Sequence, residues 1–171
     1  MTCPTALCGV WHQEKDKCES LCPLLVGLGM PKSLQYIACP AADLTSVTLR
    51  ISCPEENTVE IVDKTVFGRN ATRVPLDGSE SERSTRGRKK PFMLSGTASE
   101  ASATLQCRLT SRGPGWFTRQ ERFLSPDLVD SSGAPLLVER HVLVRPEAED
   151  VVITRHFRKS TEEDLRPAAA T

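Results

Sequence analysis

From Leu44 to Lys159 this chain is a succession of short alternating or β-branched runs separated by turn residues, and that rhythm restricts it to an antiparallel all-β fold. The predicted strands are Thr45 to Ser52, Thr58 to Val66, Ala71 to Leu76, Lys90 to Ser95, Ala103 to Thr110, Trp116 to Leu124, Leu136 to Val144 and Val151 to Lys159. Turn residues such as Asp77-Gly78, Gly113-Pro114-Gly115 and Ser132-Gly133 divide them. Further strands over Gly9 to Gln13 and Leu34 to Ala38 bring the count to about ten. So many strands with short turns imply a closed barrel or sandwich, because one open sheet would leave its edges exposed.

One helical region interrupts the pattern. Between Cys18 and Leu34, Leu21, Leu24, Leu25 and Leu28 recur at helical spacing around a proline and two glycines, which predicts two short helices broken near Val26 to Gly29. A length of 171 residues suits one domain over residues 1–159, followed by a polar tail over 160–171 expected to be disordered.

Lysine plus arginine balances aspartate plus glutamate at 22 each, so no net field directs the chain toward nucleic acid or an anionic membrane. The N-terminus lacks a basic segment followed by a long apolar run, and no stretch reaches the ~18 apolar residues of a bilayer span. The expectation is a soluble, cytoplasmic protein, with passage into the nucleus open. In that setting the seven cysteines are expected as thiols. Cys18 and Cys22 could share a helix face, but no tetrahedral ligand set is completed in the sequence, so no metal is expected. The basic segment Arg83 to Lys90 reads as a solvated loop, with a phosphate-binding patch as the alternative.

The closing strand concentrates the functional signal. Alternation puts Ile153, Arg155 and Phe157 on one face, and an arginine held between two apolar residues needs an anionic partner. A ligand carboxylate is one such partner; the alternative is that Arg155 lies along the surface with its stem on neighbouring side chains. In Thr118, Gln120 and Arg122 the same alternation brings a second arginine to a shared face, and a surface position for it remains open.

The order of these segments resembles the intracellular lipid-binding proteins, the family of fatty-acid-binding and cellular retinoid-binding proteins. Gly9-Val10-Trp11 looks like the family's opening Gly-x-Trp, and Leu28-Gly29-Met30 ends the helical region as Leu-Gly-Val does there. Thr65-Val66-Phe67-Gly68-Arg69-Asn70 is similar to its Ser-Thr-Phe-Lys-Asn turn, and Thr154-Arg155-His156-Phe157-Arg158-Lys159 to its closing Thr-Arg-x-Tyr-Glu-Lys. The resemblance implies a ten-stranded antiparallel up-and-down β-barrel of calycin type, capped by a helix-turn-helix. It implies a carrier of a long-chain fatty acid, a similar hydrophobic carboxylate or a retinoid, with no catalysis and no cofactor.

By the same resemblance Arg155 and Arg122 would bind the carboxylate, with Thr118 beside them and Phe67 at the portal. Phe157 stands where the family usually has a tyrosine hydroxyl, so the head-group site is expected to be atypical. A monomer is expected, with transient membrane contact through Lys15, Lys17 and Lys32 and no nucleic-acid partner. A secreted lipocalin-like carrier and a β-rich interaction module are the alternatives.

Overall fold

The computed structural model describes residues 3–65, 68–83, 92–111 and 115–160. Ten antiparallel strands form one sheet: β1 (Gly9–Gln13), β2 (Thr48–Glu55), β3 (Thr58–Thr65), β4 (Gly68–Pro75), β5 (Ser81–Arg83), β6 (Phe92–Ser99), β7 (Thr104–Ser111), β8 (Phe117–Val129), β9 (Pro135–Val144) and β10 (Val151–Lys159). Their order, β4-β3-β2-β1-β10-β9-β8-β7-β6-β5, is up-and-down except that β1 bridges β2 and β10. Helices α1 (Cys22–Gly27) and α2 (Lys32–Leu44) lie between β1 and β2.

The terminal strands of this order, β4 and β5, share no ladder. Instead β4 approaches β6 through side-chain packing: a Cβ at Gly96 would lie 2.5 Å from Cγ1 of Val74 and 3.0 Å from the Pro75 carbonyl oxygen. Glycine is what permits that approach. The barrel is therefore nearly closed, with one seam that carries no strand ladder among the described residues.

Two sequence expectations are corrected. Leu34 to Ala38 is not a strand but part of α2. Its aromatic and β-branched run suggests a strand, yet Leu34, Tyr36 and Ile37 are largely exposed and pack no sheet face, so local strand preference has nothing to act on. The tenth strand is instead β5, inside the polar stretch read as loop. The cysteines are not all thiols, because Cys22 and Cys39 form a disulfide between α1 and α2. The helical hairpin brings their Cα atoms to 4.8 Å, within bonding range. Residues 161–171 of the expected tail, and 84–90 of the basic segment, lie outside the described residues.

Alternation fills the interior in layers. The closed end is a large apolar cluster containing Trp11, Leu49, Ile51, Val59, Leu105, Leu137 and Phe157. At the helical end a smaller cluster joins Leu24 of α1 to Phe92, Trp116, Leu143 and Ile153. There α1 packs so closely on β9 that a Cβ at Gly27 would meet Leu143 at 2.7 Å.

Candidate functional site

Between the two apolar clusters lies a layer of buried charge. Register places Glu139 of β9 directly opposite Arg122 of β8 on one side and Arg155 of β10 on the other. Glu139 is fully buried, and the arginines are 2% and 6% exposed, so none of the three exchanges its partners for bulk water.

The contacts of the layer converge on the Glu139 carboxylate. Nε of Arg155 donates to Oε2 of Glu139 at 2.8 Å, and its Nη2 reaches the same oxygen. Arg122 pairs through Nη2 with Oε1, so one carboxylate serves two guanidinium groups. His141, two residues along β9, places Nε2 2.9 Å from Oε2. Burial alone would push the Glu139 carboxyl up; the adjacent Arg155 and Arg122 overcome that and hold it well below the usual carboxylate range.

Arg122 also faces a cavity of about 110 Å³, lined by residues that include Asp63, Asn70, Cys107 and Gln120. The lining comes from β3, β4, β6, β7 and β8, so the space lies along the seam between β4 and β6. Arg122 donates through Nη1 to Sγ of Cys107 at 3.9 Å and through Nη2 to Oε1 of Gln120 at 3.3 Å. Its Nε is buried without a hydrogen-bond partner among the described residues, as is Oδ1 of Asp63. Burial, then the charge of Glu139, pushes the Asp63 carboxyl up.

The sequence-predicted residues separate in this geometry. Arg122 and Arg155 come together at Glu139, but only Arg122 lines the cavity. Thr118 is buried on the same strand face, with its hydroxyl unpartnered among the described residues. Phe157 is wholly buried in the closed-end cluster, with the Arg155 guanidinium carbon 5.2 Å from its ring centroid. Phe67 lies outside the described residues.

Glu139, His141 and Asp63 were not anticipated. Their signal was present as alternation: Leu137, Glu139, His141 and Leu143 recur at every second position, as do Val59, Ile61 and Asp63. Alternation assigns each of these residues to a face, but only the register of β8, β9 and β10 brings Glu139 between the two arginines.

No protein-family model matches the chain, and no curated protein matches its sequence. Solved structures do match. Apo lipid binding protein 8 of Caenorhabditis elegans superposes with a TM-score of 0.66 at 15% identity, over 90% of this chain and 94% of that one. Fatty-acid-binding protein 1 of Echinococcus granulosus gives 0.64 at 15%, over 91% and 98%. A Schistosoma mansoni fatty acid binding protein in complex with arachidonic acid gives 0.65 at 11%, over 94% and 100%. With the ten-stranded order and its helical pair, these superpositions show that the chain has the fold of the intracellular lipid-binding proteins, the family its sequence motifs resemble.

Proposed function

We propose that this protein is a cytoplasmic, non-enzymatic carrier that binds a long-chain fatty acid or a related hydrophobic carboxylate inside the barrel, with the head group at Arg122. The observation that carries this reading is a buried guanidinium on the cavity wall whose Nε lacks a partner among the described residues. A ligand carboxylate supplies the acceptor that Nε lacks, through a charge-assisted hydrogen bond. Arg155 acts behind it, holding Glu139 and thereby orienting Arg122.

Affinity comes from the tail, at about 0.8 kcal/mol for each methylene removed from water. The cavity of about 110 Å³ is smaller than the roughly 300–1,000 Å³ typical of ligand sites. Loading therefore widens it, and the seam between β4 and β6, which has no ladder to break, is where the wall parts. Exposed Leu34, Tyr36, Ile37 and Leu44 on α2, together with Lys32, form the surface that meets a membrane during transfer. Lys15 and Lys17 are engaged with the carbonyls of Leu44 and Val129, which leaves them a smaller part than their sequence positions suggest.

A second reading rests on charge balance. With Glu139 and Asp63 both ionised they neutralise Arg122 and Arg155, and the site then suits an uncharged polar head such as an alcohol. Purification without delipidation, followed by mass spectrometry of what co-elutes, tests both. The carboxylate reading expects a fatty acid or retinoic acid that is lost from Arg122→Ala. Recovery of a neutral lipid supports the second reading, and the absence of any lipid, or full retention by the variant, contradicts the first.

A further inference from the structure

Three cysteines distant in sequence converge at the closed end of the barrel. Cys3 precedes and Cys8 follows a short 3-10 turn over Thr5–Leu7, and Cys53 comes from β2. The turn folds Cys8 back toward Cys3, because the amide of Leu7 donates to the Pro4 carbonyl and that of Cys8 to the Thr5 carbonyl. Pairing of β2 with β3 is irregular between Ser52 and Glu55, so Cys53 lies outside the regular ladder.

The resulting sulfur separations are 3.7 Å from Cys3 to Cys8 and 3.6 Å from Cys8 to Cys53, with all three Sγ atoms within 4.8 Å of one another. Sulfurs bound to a common metal at about 2.3 Å lie about 3.8–4.0 Å apart at tetrahedral or trigonal angles, close to the two shorter separations, and a small side-chain rotation brings the third pair to the same spacing. Cys3 is buried, Cys8 partly so, and Cys53 exposed, which provides a path from solvent to a site backed by the apolar core.

We propose that Cys3, Cys8 and Cys53 form a binding site for one thiophilic d10 metal ion, with Cu(I) favoured over Zn(II). Soft thiolates select these ions, and three of them complete a trigonal Cu(I) site. Structural zinc ordinarily takes four protein ligands, and the clustered set among the described residues contains three. Coordination leaves oxidation states unchanged: each coordinating thiol forms a metal–sulfur bond and gives its proton to solvent. Affinity accordingly rises with pH.

None of the three cysteines lines the cavity at Arg122, so the site stands or falls independently of lipid binding. Its test is an anaerobic titration of the full chain with Cu(I) against a chromophoric chelator, with a parallel Zn(II) arm, on wild type, Cys53→Ser, Cys8→Ser and the Cys22→Ser/Cys39→Ser double variant. Cys53 is exposed, so its serine variant retains the fold, and circular dichroism verifies this. The expected result is one Cu(I) per chain, tighter at pH 8 than at pH 6, weakened at least about 100-fold in Cys53→Ser and Cys8→Ser and unchanged in the double variant. Stoichiometric Cu(I) binding that survives Cys53→Ser, tighter binding of zinc, or no binding with Cys8–Cys53 disulfide formation in air would each overturn the proposal.

Discussion

The closed-end apolar cluster and the charged layer beside it are equally buried, but their energetics differ. Leu49, Val59, Leu105 and Leu137 are 0% exposed and stabilise the barrel through removal of apolar surface from water. Arg122, Glu139 and Arg155 are buried at a desolvation cost that their mutual attraction only partly offsets. An apolar layer at that level would hold the barrel at least as well. Retention of charge there accords with the head-group site proposed at Arg122.

The largest effect expected from breaking this contrast comes from Glu139→Ala, which strands two buried guanidinium groups. It should cost about 3–5 kcal/mol in a denaturant titration. Leu49→Ala, a cavity in the apolar half, should cost about 2–5 kcal/mol. The triple replacement Arg122→Met, Glu139→Leu, Arg155→Met should have the opposite sign, from neutral to a gain of about 1–4 kcal/mol, while removing any preference for a carboxylate head group. A large loss of stability in the triple variant would show that the charged layer holds the fold together.

The smallest effect expected is that of pH. Glu139 has a folded-state pKa below its ordinary value of 4.5, so its contribution is present above that value and lost only as pH falls through the depressed one. Asp63 runs the other way. Its folded-state pKa is raised above 3.8, so its ionised form costs stability above the folded value, and acidification through that value relieves the cost. Asp63→Asn should therefore be more stable than wild type at high pH, and the two should converge as pH falls toward 3.8. Denaturation curves at several pH values read this, and a constant difference would contradict it.

Much of the fold was legible because strand alternation is a local property. Gly9–Gln13 and Val151–Lys159 are strands with the bounds their residues predict, and Ile153, Arg155 and Phe157 do share the inner face. Leu34 to Ala38 misled because helix α2 is held by its neighbours, through the Cys22–Cys39 disulfide and α1, more than by its own pattern. The site was legible by half. A buried arginine's need for an anion follows from physical chemistry, whereas the identity of that anion depends on register, which sets Glu139 between Arg122 and Arg155 and is a property of three strands together.

The central claim is that Arg122, and not Arg155, meets the head group. Its most direct measurement is a calorimetric comparison of a long-chain fatty acid with the alcohol of equal chain length, on wild type and on Arg122→Met. The account predicts that wild type prefers the acid by at least about tenfold, or 1.4 kcal/mol, and that Arg122→Met loses the preference while keeping its affinity for the alcohol. Equal preference in both proteins would contradict it.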